Sequence, residues 1–299
     1  MDRLHLMTVF VAVVEAEGFA GGARKLQISP PAVTRAIAAL EDRLGVKLLN
    51  RTTRYVRMTE AGQKYYEDAK RIITLANEAD DAVLGINAEP RGQLTVTASV
   101  LFGRLYIMPG IVEYLSYYPN VELNALFVDR VVNMLEEGVD VAIRIAELPD
   151  SSYRALRVGS VRRVLCASPD YLAQHGTPET PDDLTQHRII LARGLNPTNE
   201  LRFQQDGQVH TVKVQPMLSV SDNDSAASAA KAGLGITRLL NYQIAESLLT
   251  GQLKIVLSDY ESPPVPVHIL HREGRHSSAK IRSFVDLMAA RLRVALSTD

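Results

Sequence analysis

A chain of 299 residues, 46% hydrophobic and 22% charged, excludes a disordered or fibrous protein and predicts two domains at roughly 100 to 200 residues each. Its one cysteine, Cys166, excludes an internally cross-linked secreted scaffold, fits a reducing cytoplasm and reads as a small buried apolar residue. The formal net charge of −1 conceals a split: from Phe19 to Arg57 eight basic residues face only Glu41 and Asp42, joining a +6 segment to a −7 remainder, as expected of a polyanion-binding module attached to an acidic domain.

Asp2 is placed to cap a first helix whose Leu6, Phe10, Val13 and Val14 share one face, with Gly18 as its stop. Glu15 and Glu17 follow this stretch, which lacks the cleavage pattern of a secretory signal. No apolar run approaches the ~20 residues that span a bilayer, so a cytoplasmic protein with no membrane partner is expected. A second short helix is predicted from about Ala20 to Leu26. A third follows the cap Ser29, with Pro30 at its first position and Gly45 as a left-handed stop. Ala23, Leu26, Ile28, Val33 and Ile37 would pack these two helices across a tight turn, which is a helix-turn-helix. The start of the second helix of that motif enters the major groove of double-stranded DNA. Pro30, Pro31, Thr34 and Arg35 are therefore the candidate groove-facing residues. Val46 to Thr59 reads as a wing, two short strands around a basic turn, whose Arg51 and Arg54 would reach phosphates or a minor groove.

Thr59 opens a long helix in which Ala61, Tyr65, Ala69, Ile72, Ala76, Ala79, Val83 and Ile86 recur every three or four residues. A stripe this narrow suits a partner helix, hence a homodimer. Glu89-Pro90-Arg91-Gly92 breaks the helix, setting expected boundaries of 1–58 for the DNA-binding part, 59–89 for the linker helix and 90–299 for the remainder.

Beyond the break, strands around Leu94–Ala98, Val121–Val128 and Val139–Ile145 are separated by helices at about Phe102–Tyr117 and Arg130–Glu137, which predicts a mostly parallel α/β sheet. A second set follows from Val161, with a hairpin at Asp206-Gly207, a helix from about Asp222 to Ala232, a strand at Val265–Leu270 and a last helix from Ser277. Ligands of such sheets bind at the carboxyl ends of strands, here Ser99 and Val100, Val128, Arg144, and Ser221-Asp222 ahead of a helix. Ser99 would open a helix whose free N–H groups favour an anion. Arg144 sits in an apolar run about 13 Å along the strand from Asp140. It therefore needs another carboxylate, carbonyls or a ligand anion, and together with Ser99 it hints at an organic-anion effector.

Catalytic and cofactor readings fail. Ser228–Lys231 and Ser221–Asn223 match two hydrolase fragments but overlap one helix and lack the third. His268 and His271 fall on opposite faces of a strand, and Gly233-Leu-Gly235 is too short for a dinucleotide fingerprint. No enzyme activity, metal or cofactor is expected.

Three segments together resemble the LysR-type transcriptional regulators: Arg24 to Gly45 (RKLQISPPAVTRAIAALEDRLG), Arg51 to Gly62 (RTTRYVRMTEAG) and Ala167 to Ala173 (ASPDYLA). Similar words occur at Val139 to Arg144 and Gly233 to Ile236. The resemblance implies a winged helix-turn-helix, a dimerising linker helix and an effector domain of two α/β subdomains like periplasmic binding proteins, about 90–161 with 267–299, and 162–266. The chain would cross between them near Val161 and Val267. It further implies homotetramers on an interrupted palindrome, a small-molecule effector in the cleft, and RNA polymerase as a partner in transcription regulation. The rival reading is an architectural DNA-binding protein without ligand sensing. Ala20, Gly21 and Gly22 replace the family's hydroxyl cap and alanines, which predicts a weakly capped second helix.

Overall fold

The computed structural model describes residues 2–51, 56–84, 89–148, 153–193, 198–205, 207–272 and 278–297, in two units that divide after Ala88. In the first unit, α1 (Arg3–Glu15) starts at Asp2, whose carboxylate accepts the Leu4 N–H at 3.4 Å. Val9, Phe10 and Val13 of α1 are fully buried against Val33, Ala36, Ile37 and Leu40 of α3 (Pro30–Leu44). Between them α2 spans Phe19–Leu26.

The start of α2 corrects the expectation of an alanine cap. Its N-cap is Gly18, with no side-chain cap bond. The two glycines have a packing role: a Cβ on Gly22 would lie 2.9 Å from Val13 Cγ2 and 3.0 Å from its Cα, and one on Gly21 would lie 2.7 Å from Ala16 Cβ. The helix propensity lost to glycine therefore permits the backbones of α1 and α2 to approach closely.

β1 (Leu49–Arg51) and β2 (Val56–Met58) pair antiparallel with Asn50 opposite Arg57. α4 (Glu60–Leu84) follows. Thr59 caps it: its Oγ1 accepts the Gly62 N–H at 2.9 Å and donates to the Lys47 carbonyl at 2.8 Å.

The second unit holds two five-stranded sheets. The first has order β4 (Val121–Phe127), β3 (Gly92–Ala98), β5 (Val141–Ile145), β14 (Val265–Arg272), β6 (Tyr153–Val161). The second has order β11 (Pro216–Val220), β8 (Ile189–Ala192), β12 (Ile236–Leu240), β7 (Arg163–Ala167), β13 (Lys254–Val256). In each sheet four of the five strands run the same way, as expected, and one is reversed, β14 in the first and β7 in the second. β4, β3 and β5 run parallel, as do β11, β8 and β12, while β14, β6, β7 and β13 pair antiparallel with their neighbours. The reason is connectivity: β6 carries the chain out of the first sheet and β14 brings it back, so the two must run in opposite directions. The crossings lie at Val161–Arg163 and between Val256 and Val265.

One face of the first sheet is covered by α5 (Val100–Phe102), which runs through a π-helical turn at Gly103–Ile107 into α6 (Met108–Tyr117), and by α10 (Ala279–Ala295). The second sheet carries α7 (Pro169–His175) and the hairpin of β9 (Glu200–Gln205) and β10 (Gln208–Lys213) on one face, and α8 (Asn223–Lys231) with α9 (Ala245–Leu249) on the other. Asp206 of the expected hairpin turn lies outside the described residues.

The helix expected at Arg130–Glu137 is a run of turns instead. The Asn133 side-chain oxygen accepts the N–H groups of Leu135 at 3.1 Å and Glu136 at 3.4 Å, and Glu137 accepts the Asn133 N–H at 3.1 Å. Side-chain bonds of this kind compete with helical ones. Arg130 pins the segment through two bonds to Glu137, at 2.7 and 2.5 Å.

Candidate DNA interface and ligand site

Pro30, Pro31, Thr34 and Arg35 are all exposed at the start of α3, on the side away from buried Val33, Ala36 and Ile37. The Thr34 hydroxyl donates to the Pro30 carbonyl at 3.2 Å. Ser29 stands at the cap position with its backbone extended, but its side chain makes no capping bond. Arg51 ends β1, and Arg54 lies outside the described residues. Lys25 is held away from this face, 2.7 Å from Glu15.

Sequence reasoning missed Glu41, which it had counted only as a negative charge in a basic segment. Its carboxylate, 4% exposed, accepts the N–H groups of Leu48 at 2.9 Å and Leu49 at 3.2 Å and pairs with Lys47 at 2.7 Å. Glu41 thereby fastens the start of the wing to the α3 helix. Burial pushes its carboxyl up, but the Lys47 ammonium and the two N–H donors outweigh that and leave it below its ordinary value. A glutamate on the inner face of a helix otherwise apolar on that face was the available signal.

The α4 stripe divides. Ala61, Tyr65 and Ala69 pack into their own unit, with Tyr65 edge-on to Phe10 at 5.6 Å between ring centroids. Further along, Ile72 is 40% and Leu75 49% exposed in the single chain, and Ala79 is exposed as well. Three-four spacing therefore continues from a buried stretch into an exposed one. The Val83 side chain and Ile86 lie outside the described set.

At the carboxyl ends of β3 and β4 the structure brings Ser99, Val100 and Val128 together. The Val128 N–H donates to the Ala98 carbonyl at 2.9 Å. The helix start is not free for an anion as expected: Asp129, the residue after Val128, already accepts the Val100 N–H at 3.0 Å. Tyr242, just beyond β12, reaches in from the second subdomain and stacks edge-on against Phe102 at 5.3 Å and Tyr106 at 5.9 Å. Burial is the main force pushing the Tyr242 phenol up to about 12, while Ser99 acts on it in the opposite sense. Ser99 Oγ is nonetheless buried without a partner in hydrogen-bonding geometry.

Arg144 is settled differently. Its side chain donates to the Val132 carbonyl at 2.9 Å, beneath the turn segment that Arg130 and Glu137 hold. Burial lowers its pKa, against the attraction of Glu137. The Val132 carbonyl is its hydrogen-bond acceptor, and the Glu137 carboxylate attracts it. Ser221 and Asp222 sit on the second sheet, where Asp222 caps α8 by accepting the Ser225 N–H at 2.8 Å. Among the described residues their side chains hydrogen-bond to each other and to Ser225, not to Ser99. Cys166 lies buried in β7, its thiol pushed up to about 12 by desolvation, which makes it a poor nucleophile. Among the described residues no helix is long and apolar enough to cross a membrane.

Residues 4–63 match the family of bacterial regulatory helix-turn-helix proteins of the lysR type, and residues 87–293 match the LysR substrate binding domain. The HTH-type transcriptional activator AaeR of Escherichia coli is 31% identical over 96% of this chain and 93% of its own length. An HTH-type transcriptional repressor of Pseudomonas aeruginosa is 32% identical over 96% of this chain and 91% of its own. CrgA of Neisseria meningitidis, a LysR-type regulator of known structure, superposes with a TM-score of 0.61 at 30% identity over 98% of this chain and 99% of its own. LysR regulators bind DNA and small-molecule effectors and form oligomers, and no observation favours the architectural reading without ligand sensing. By both of its domains the chain belongs to the LysR-type transcriptional regulators, DNA-binding proteins controlled through an effector domain and not enzymes.

Proposed function

We propose that Pro30, Pro31, Thr34 and Arg35 read a major-groove half-site, with Arg51 and Arg54 on flanking phosphate or minor groove. Two copies pair through the outer stretch of α4 that carries Ile72, Leu75 and Ala79, and two pairs assemble as a homotetramer. The effector enters beside Ser99 in the cytoplasm, and the bound state is passed on to RNA polymerase. The observation that carries this reading is one face of α3 left wholly exposed at its N-terminal end while the opposite face is buried.

The Ser99 lip combines an unpartnered buried hydroxyl, the Asp129 carboxylate and the Tyr242 phenol. It suits an uncharged or cationic hydrogen-bonding group better than the organic anion that residue types alone suggested, because an anion would have to displace Asp129 from the Val100 N–H. Ser221 and Asp222 form the facing rim, and Arg144 supports the wall.

Arg35→Ala is expected to weaken binding to a preferred duplex by about 5- to 150-fold, the range of one lost base contact at ~1–3 kcal/mol. Its effect on unrelated duplexes should be much smaller. Gel-shift titrations at one salt concentration measure both. Equal losses on preferred and unrelated DNA would reduce Arg35 to a general cation and reject the groove assignment.

A further inference from the structure

The sheet of the second subdomain carries a group of arginines that the cleft beside Ser99 does not use. Arg238 on β12 and Arg163 on β7 lie on one face of two antiparallel strands, diagonal to each other because Arg238 is opposite Leu165 and Leu240 opposite Arg163. Diagonal neighbours are within reach of long side chains. Arg202 comes from β9, which lies over the same face, and the Arg238 guanidinium donates to the Arg202 carbonyl at 3.3 Å. The three side chains line one recess with Phe203, Tyr260 and Glu261. Its empty volume, space open to solvent included, is about 250 Å³.

Charge in this recess is mostly positive: Glu147 attracts Arg163 from outside the lining, and Glu261 is the one carboxylate within it. Burial, and after it the fields of Arg163 and Arg202, push Arg238 down to about 10, so the three cations repel one another. Glu261 does not neutralise them: one carboxylate oxygen lies 3.5 Å from Arg162, and the other is buried with no hydrogen-bond partner. Burial pushes the Glu261 carboxyl up, against Arg162. Like charges gathered in a half-buried place are costly unless a counter-charge arrives. A guanidinium fork matches the oxygens of carboxylate or phosphate.

We propose that this recess is a second ligand site, for a small oxyanion of the phosphate or carboxylate class held by Arg163, Arg202 and Arg238, with Glu261 receiving a hydroxyl or protonated oxygen of the same ligand. Its place in the fold gives it a regulatory consequence. Arg163 is the first residue of β7 after the outward crossing. Asn241, just past β12, clamps the preceding Arg162 through two bonds of 2.9 Å: its backbone N–H donates to the Arg162 carbonyl, and its side-chain oxygen accepts the Arg162 N–H. Glu261 lies within the return crossing, between Val256 and Val265. An anion here would tie β7, β9, β12 and the returning segment together at the pivot between subdomains, an input separate from the Ser99 lip.

The test is thermal unfolding of the full chain in sodium phosphate, in sodium succinate and in sodium chloride at matched ionic strength. At about ten times its half-saturating concentration, a bound oxyanion should raise the melting temperature by about 3–6 °C, for a unit of this size. A rise in phosphate alone identifies a phosphoryl ligand, and one in succinate alone identifies a carboxylate. Arg163→Gln and Arg202→Gln, both at exposed positions, should each remove at least half of the rise. Arg238→Gln should abolish it while raising the melting temperature of the ligand-free protein, because the repulsion is relieved. A rise no larger than in chloride overturns the proposal. So does a rise that persists in Arg163→Gln and Arg202→Gln, which would place the anion on the basic DNA-reading unit. Neither result bears on Arg35 or Ser99.

Discussion

Gly62→Ala is expected to destabilise the N-terminal unit by about 3 kcal/mol, the largest effect of any single methyl group in it. A Cβ at position 62 would stand 2.0 Å from the Leu48 carbonyl oxygen and 3.0 Å from its carbon. That carbonyl has little freedom to retreat, because it accepts the Thr59 N–H at 2.9 Å and the Thr59 hydroxyl at 3.3 Å. Overpacking against side chains costs ~1–3 kcal/mol, and fixed backbone puts this case at the upper end. Alanine's better helix propensity offsets at most ~1 kcal/mol. Urea unfolding with hydrogen exchange read in α1 to α4 would show the loss. Unchanged protection there would mean that the junction of wing and α4 yields easily.

Glu41→Ala should cost a similar amount, about 3 kcal/mol, by leaving two buried N–H groups without acceptors and Lys47 without its partner. Glu41→Gln, which keeps one acceptor oxygen, should lose roughly half of that. The effect depends on pH in a defined sense. The folded carboxyl lies below its ordinary value of 4.5, so the unfolded chain binds the proton more readily. The stabilisation is therefore complete above the unfolded value and is lost as pH falls through the lower, folded one. The stability gap between the native protein and Glu41→Gln should close in acid below pH 4.5. A gap that stays constant there would show that the contact works by packing alone.

The three N-terminal helices were legible because their signals are local: Asp2 and Ser29 at starts, Pro30 at a first turn, Gly45 at a stop, and apolar residues at helical spacing. The exposed face of α3 followed from the same pattern. What stayed hidden depends on neighbours distant in sequence. Gly22 looked like a weakness until Val13 was seen against it. Glu41 looked like a surface charge until the chain returned at Leu48 to meet it. The α4 stripe has one spacing, yet its start packs into its own unit and its later part is exposed, and periodicity does not tell the two apart. Arg130 to Glu137 has helical composition, yet Asn133 draws the neighbouring N–H groups into turns.

The candidate ligand site shows the same division. Carboxyl ends of strands located Ser99, Val100 and Val128 correctly as neighbours, because parallel pairing of β3 and β4 is a matter of register. The occupant of the first helical N–H, Asp129, depends on how the chain turns after β4. The cationic recess unites β7, β9 and β12, whose arginines are scattered over 76 positions from Arg163 to Arg238. No short motif joins them. Arg144 drew attention as a buried charge, and its partner proved to be a carbonyl twelve residues earlier.

The claim on which the rest depends is that exposed α3 residues, presented by paired copies, read a duplex. Selection of binding duplexes from a randomised pool by the full-length protein, at ~0.15 M salt, tests it most directly. Two-fold protein symmetry predicts enrichment of an inverted repeat whose half-sites are separated by whole helical turns, bound at least ~10³-fold more tightly than pool DNA. Recovery of sequences with no shared half-site, bound no better than the starting pool, would contradict it.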